Sequence, residues 1–190
     1  ADGIADIGIV GRNEYDEQGI DLAVLRDLGF AKCRLSIAVP HEFAYRGLSS
    51  LEGKRIATSY PRILGKILEE EGVKADLVSV SGAVEITPLV GVADAICDLV
   101  STGATLAMNG LKEVQTIYRS SAVMLGRKEM GSTAKEKILS RLLLRIDAVM
   151  KASSYKYVIF NLPEAQLEAV AEVVGGMKSP TVTKLMETGW

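Results

Sequence analysis

The run Asp98-Leu99-Val100-Ser101-Thr102-Gly103-Ala104-Thr105 gathers three hydroxyls and a glycine at the end of an apolar stretch. Ser101, Thr102 and Thr105 each bring an oxygen that can donate or accept, and Gly103 lets the backbone turn so that successive N–H groups converge. Such a cup binds phosphate, helped by the positive end of the helix expected over residues 106–111. No lysine stands in the run, which separates it from the Walker nucleotide loop. An acidic residue just ahead of the cup suits a ribose 5-phosphate, with Asp98 accepting from the sugar hydroxyls. The same Ser-Thr-Gly-x-Thr turn also serves as a plain helix cap. A second loop, Thr58-Ser59-Tyr60-Pro61, joins a strand to a helix start; Tyr60 could lie against a base or simply be a surface tyrosine beside a capped helix. A third, Ser81-Gly82-Ala83-Val84-Glu85, sets Glu85 in a first helical turn, where the dipole favours a carboxylate with or without a function. Three such loops on one edge of one sheet reinforce each other, because ligands of open α/β sheets sit beyond the carboxyl ends of the strands.

Short apolar runs at 7–10, 34–39, 55–58, 77–80, 95–100 and 114–118 alternate with segments of helical period, the α/β signature. The runs are nearly continuous, as expected of parallel strands covered on both faces. Pro61 opens a helix expected to run to residue 71, with Gly72 past its end. Thr133 and Glu136 have the spacing of a capping box, ahead of a helix with Ile138, Leu142, Ile146 and Val149 on one stripe. Gly3-Ile4-Ala5-Asp6 is echoed by Gly91-Val92-Ala93-Asp94, either a common helix-to-strand turn or the mark of two similar α/β lobes with a cleft between them. The 190 residues carry 22 Lys+Arg against 24 Asp+Glu, a net charge of −2, which removes the basic surplus of a general nucleic-acid binder. Although 48% of the residues are hydrophobic, none of the runs reaches the ~20 apolar residues of a membrane span. With no charged-then-apolar leader, a cytoplasmic protein is expected. Cys33 and Cys97 show neither a disulfide framework nor metal-ligand spacing. Arg34, in an apolar run, calls for a partner; Arg12 could face the cleft, while Lys54 and Arg55 read as solvated.

Gly53-Lys54-Arg55-Ile56-Ala57-Thr58-Ser59-Tyr60-Pro61, the 81–85 loop and the run from Ala93 through Leu106 resemble ATP phosphoribosyltransferase. Cys33-Arg34-Leu35-Ser36, Asn109-Gly110-Leu111 and Glu113-Val114 fit the same family, and the resemblance extends along essentially the whole chain. It implies two periplasmic-binding-protein-like lobes, and transfer of phosphoribosyl from phosphoribosyl pyrophosphate to N1 of ATP with Mg²⁺ present. By that resemblance, Asp98, Leu99, Val100, Ser101, Thr102, Gly103, Ala104 and Thr105 bind phosphoribosyl pyrophosphate. Tyr60 and Glu85 are the expected ATP contacts, and Glu85 and Asp98 the expected catalytic pair; no metal ligands are identified. The expected assembly is a homo-oligomer, from dimer to hexamer.

Past residue 150 the pattern shifts to strand 155–161, helix 163–174 and strand 180–185, half of a ferredoxin-like fold. It resembles the regulatory domain of the long form of the enzyme, which binds histidine as inhibitor; Asn161, Met177, Ser179 and Thr181 fall near that site by position, although Asn161 also suits a cap for the following helix. The expected division is 1–36 with 119–150 as part of lobe I, 37–118 as lobe II, and 151–190 as the regulatory part. The opening without Met and the missing counterpart of the family's Gly-Arg-Leu motif suggest a chain truncated at both ends and inactive alone. The competing expectation is a two-lobed small-ligand binding protein without catalysis.

Overall fold

The computed structural model describes residues 4–129, 131–156, 158–173 and 181–184. Its residues divide into two units, Ala1–Ala148 and Val149–Trp190.

The larger unit contains two sheets. Strands β1 (Ile7–Gly11) and β2 (Ala23–Asp27) both pair antiparallel with β8 (Ala122–Gly126), giving the order β1-β8-β2. The second sheet has five strands: β3 (Cys33–Pro40), β4 (Arg55–Thr58), β5 (Asp76–Ser79), β6 (Ala95–Val100) and β7 (Leu111–Ser120), in the order β5-β4-β6-β3-β7. Only β5, β4 and β6 are mutually parallel; β3 runs antiparallel to both β6 and β7. The expectation of uniformly parallel strands is thus corrected. A continuous apolar run reports burial on both faces and not pairing direction, and β3 is buried on both. Leu35, Ile37 and Val39 join one core with Ile56, Leu64 and Cys97, while Ala38 joins the other with Ala57, Ile96 and Val84. Each fully buried Leu, Ile or Val side chain among these contributes about 1.5–3 kcal/mol relative to exposure.

The helix at Pro61 forms as expected: α2 (Pro61–Glu70) buries Ile63, Leu64 and Leu68, and Gly72 follows at φ 69°, the left-handed exit that glycine permits. Its cap comes from elsewhere, however. Tyr60 at the N-cap makes no side-chain cap bond, and the Glu17 carboxylate accepts from both Arg62 N and Ile63 N at 2.9 Å. Glu17 lies on α1 (Arg12–Gln18), which leaves the first sheet and binds the second by two further acids. The Tyr60 hydroxyl donates to Glu14 at 2.8 Å, and the Tyr118 hydroxyl donates to Asp16. Buried Asn13 completes this seam, its amide donating to the Tyr60 oxygen and its carbonyl accepting from the Ser120 hydroxyl.

Other expectations shift. The helix expected over 106–111 is α3 (Ala104–Met108); Leu111 already opens β7, because buried Leu111 belongs to the sheet core and Gly110 at φ 71° turns the chain between them. Helix α4 (Thr133–Ser153) starts one residue earlier than a Thr133 box requires: Ser132 is the capping hydroxyl, accepting from Lys135 N, and Glu136 is not in the boxed position. Of its stripe, Leu142 and Ile146 pack with Leu143 against Leu28, Ala122 and Met124, whereas Ile138 is 68% exposed. Divisions at 36/37 and 118/119 fall inside β3 and β7, which are single strands of the second sheet.

In the second unit, Tyr155, Lys156, residues 158–162 and residues 181–184 are not in strands, so the two expected there are not found among the described residues. A strand needs a neighbour to take its N–H and C=O groups, and no described segment pairs with these. The helical expectation holds over Glu164–Gln166, a 3₁₀ turn, and α5 (Leu167–Val173).

Candidate functional site

Strand β6 carries Asp98 near its end and passes into the turn at Ser101–Gly103. Gly103 adopts φ 79°, a left-handed conformation that starts α3. With five residues, α3 has little macrodipole, so the loop's own N–H groups and hydroxyls must do what a longer helix would share. Ser101, Thr102, Ala104 and Thr105 are exposed, while Val100 and Leu106 are buried on either side and anchor the loop.

The 81–85 loop arrives from β5. Gly82 and Ala83 take φ 81° and 51°, two successive left-handed residues that reverse the chain before the 3₁₀ turn Val84–Ile86. Ala83 carries a side chain in that region, at a cost of about 1–2 kcal/mol, and buried Val84 holds the turn to the sheet core. Glu85 is thereby fixed in a half-buried position beside the β6 loop.

The two loops wall a cavity of about 230 Å³, lined by Glu85, Asp98, Leu99, Val100, Ser101, Thr102, Gly103, Thr105 and Leu106. The structure thus brings together the expected pair Glu85 and Asp98 and every residue of the 98–105 run except Ala104. Asp98 has its carboxyl pushed above the usual range, first by burial and further by the Glu85 charge; the Leu99 N–H, donating at 2.8 Å, works against this. A cavity lined by two carboxylates and by the hydroxyl-bearing Ser101, Thr102 and Thr105 suits a ligand with an anionic part and a polyol or cationic part. Among the described residues, no cluster of three or more His, Cys, Asp or Glu side chains forms a metal site. A Mg²⁺ ion held through a substrate's phosphates needs only one or two protein carboxylates, and Glu85 with Asp98 fits that need.

Tyr60 is not on this wall. It is 8% exposed, its ring packs in the core below α2, and its hydroxyl is engaged by Glu14 and Asn13. Burial, then the Glu14 contact, raises its phenol well above the ordinary value, and the Asp98 charge adds to this. In the second unit Asn161 and Thr181 are exposed, and Met177 and Ser179 lie outside the described residues.

Arg12 and Arg55 find partners outside the cavity. Arg12 lies 3.6 Å from Asp27, and Arg55, expected to be solvated, pairs with Asp94 at 3.2 Å. Asp94 also accepts from Arg55 N, so the second Gly-x-Ala-Asp segment ties the start of β6 to β4. Arg34 has its expected partner: Glu113 on β7, gripped through two nitrogens at 2.6 and 2.7 Å. Its third contact, donation to the Ser101 carbonyl at 3.0 Å, had no signal in the sequence, because 67 positions separate the two.

The family described as ATP phosphoribosyltransferase (HisG) matches residues 1–148, and that described as HisG, C-terminal domain, matches residues 152–190. The ATP phosphoribosyltransferase of Bacteroides fragilis is 50% identical over all 190 residues, which span 67% of that protein. Among solved structures, the ATP phosphoribosyl transferase (HisG:HisZ) complex from Thermotoga maritima is similar, with a TM-score of 0.66 and 27% identity, over 79% of this chain and 72% of that one. The periplasmic aliphatic sulphonate binding protein SsuA from Escherichia coli has a TM-score of 0.52 at 15% identity, over 91% of this chain and 62% of that one, and shares the fold alone.

Proposed function

The chain belongs to the ATP phosphoribosyltransferase family, and on that premise we propose that its cavity serves the first step of histidine biosynthesis: transfer of phosphoribosyl from phosphoribosyl pyrophosphate to N1 of ATP. The bond between ribose C1 and the pyrophosphate oxygen breaks, a bond from C1 to the adenine nitrogen forms, and pyrophosphate leaves. The observation that carries this reading is the single cavity in which Glu85 and Asp98 meet the Ser101–Thr105 turn.

The loop's amides and hydroxyls take the 5-phosphate, and Asp98, in its ionised form, accepts from the ribose hydroxyls. Glu85 faces the same volume, where its charge favours the cationic sugar of the transition state or the adenine amino group. The side chains take part in no covalent step; holding the two reactants in line and neutralising the developing charge carry the rate enhancement. Glu85 and Asp98 would hold a Mg²⁺ ion together with the substrate's phosphates, and the ion would supply neutralisation of charge on the departing pyrophosphate. Tyr60, its ring buried in the core below α2, enters this scheme through the structure beneath the site.

Residues 1–36 and 119–150 form lobe I and 37–118 lobe II in this reading, with β3 and β7 carrying the crossings. Residues 151–190 act as the histidine-sensing part through Asn161, Met177, Ser179 and Thr181, and the chain assembles as dimers and hexamers. ATP and phosphoribosyl pyrophosphate are cytoplasmic metabolites, so the enzyme is assigned to the cytoplasm; no described helix is long and apolar enough to cross a membrane.

Titration calorimetry with phosphoribosyl pyrophosphate, ATP and histidine tests the reading. Affinity for all three is expected, and Asp98→Asn should weaken phosphoribosyl pyrophosphate about tenfold or more. Unaltered affinity in Asp98→Asn would remove it from the site, and affinity for one small ligand only would favour a binding protein.

A further inference from the structure

Arg34 stands on β3 opposite Val100 of β6, one residue before the hydroxyl turn begins. Its Nε donates to Glu113 Oε1 at 2.6 Å and one terminal nitrogen to Oε2 at 2.7 Å, a bidentate pair that fixes the guanidinium plane. Glu113 is held in turn by the Ser36 hydroxyl, which donates to it at 2.8 Å. The remaining nitrogen donates to the Ser101 carbonyl at 3.0 Å. Ser101 and Thr102 line the cavity, and Arg34 reaches Ser101 from the neighbouring strand.

We propose that Arg34, aimed by Glu113, is a positioning residue for the phosphate: by holding the Ser101 carbonyl it turns the Ser101–Thr102 peptide so that the Thr102 N–H is offered to the anion. The proposal rests on the phosphate-binding reading of the turn given above. Its physical basis is the planar trans peptide, in which C=O and N–H point to opposite sides; the described chain has no cis bond. A carbonyl drawn toward Arg34 therefore sends the following N–H the other way. Released, the peptide of an exposed turn can rotate and present its carbonyl dipole to the phosphate, replacing attraction by repulsion. Because Glu113 matches the Arg34 charge, the effect is one of direction more than of net charge. Lysine, with a point charge on a flexible stem, cannot grip the carboxylate in a fork and reach the carbonyl in a fixed direction.

Calorimetry with ribose 5-phosphate and, separately, ATP on the wild-type chain, Arg34→Lys, Arg34→Met and Glu113→Gln tests this, with thermal midpoints recorded for each. Ribose 5-phosphate should bind about tenfold more weakly in both Arg34 variants, with ATP affinity retained and Glu113→Gln showing a smaller loss of the same kind. Full ribose 5-phosphate affinity in Arg34→Lys would overturn the proposal, as would parallel loss of both ligands. Should Arg34→Met not fold, Arg34→Lys and Glu113→Gln, which keep polar groups of similar size in place, carry the test. A wild-type chain that binds no ribose 5-phosphate would instead overturn the phosphate-site reading itself, and the positioning role with it.

Discussion

Asp98 and Glu85 carry like charges into one small cavity, and that placement has a measurable titration. Burial is the first cause of the raised Asp98 carboxyl and Glu85 the second. The ionised form is the one that accepts from two ribose hydroxyls, so phosphoribosyl pyrophosphate affinity should fall as pH falls through a midpoint above the ordinary carboxylate range. In Glu85→Gln the repulsion is gone, the ionised form of Asp98 is favoured, and the midpoint should move to lower pH without reaching the ordinary value, since burial remains. A pH series of calorimetric affinities reads this directly; an unmoved midpoint would mean that Glu85 does not sense Asp98. The residue types here were legible in the sequence because the whole 98–105 run is local. Tyr60 was legible only as a loop tyrosine: its partners Glu14 and Asn13 lie more than 45 positions away and left no pattern.

Among the elements, α1 is the most instructive. Its acids Glu14, Asp16 and Glu17 each bind the second sheet or the start of α2. Glu17 satisfies two N–H groups that α2 cannot satisfy itself. Glu17→Ala should lower stability by about 1 kcal/mol, the usual worth of a lost cap. A urea midpoint that falls while ribose 5-phosphate affinity stays constant is the expected result; an unchanged midpoint would show that water replaces the carboxylate at no cost. The interior of α2 was legible from Pro61, the apolar spacing and Gly72, all of which act within one segment. Its cap was not, because the donor of that carboxylate is set by how two sheets meet. The expected start of α4 missed by one residue for a smaller reason: Ser132 and Thr133 are both good caps, and only the hydrogen bond to Lys135 chooses between them.

The whole molecule responds to acid mainly through carboxylates held below their ordinary range. Glu113 is the clearest, drawn from 4.5 down to about 2 first by the Arg34 contact. The unfolded chain binds this proton more readily than the folded one, so the stabilisation is complete above about pH 4.5 and is lost as pH falls toward 2. Asp98 has the opposite sign: raised in the folded state, it favours folding as pH falls. Thermal midpoints taken from pH 7 to pH 2 should therefore drop below 4.5, and Glu113→Gln should start lower at pH 7 yet fall less steeply. An equally steep fall in the variant would assign the acid response to other carboxylates. At this scale the α/β class was legible from apolar runs of residues such as Leu35–Val39, but strand direction was not, because two-sided burial looks the same in either sense. The strands 23–27 and 122–126 were overlooked, although the latter is buried throughout.

That last strand has a consequence for how the chain acquires its structure. All five strands of the second sheet lie within the unbroken stretch from Cys33 to Ser120, whereas among the described residues β1 and β2 meet through β8, which follows β2 only after the whole of that stretch. On a ribosome, β1 and β2 emerge before the second sheet, and β8, the strand that pairs with both among the described residues, begins only when residue 122 is made. The second sheet can therefore close before β8 is made, while β1 and β2, with Ile9 and Val24 apolar and exposed, still lack that partner. For these two sheets the order of synthesis and the order in which strand pairing can be completed run in opposite directions, and the interval between them leaves the β8 side of β1 and β2 open to chaperones and to misassociation.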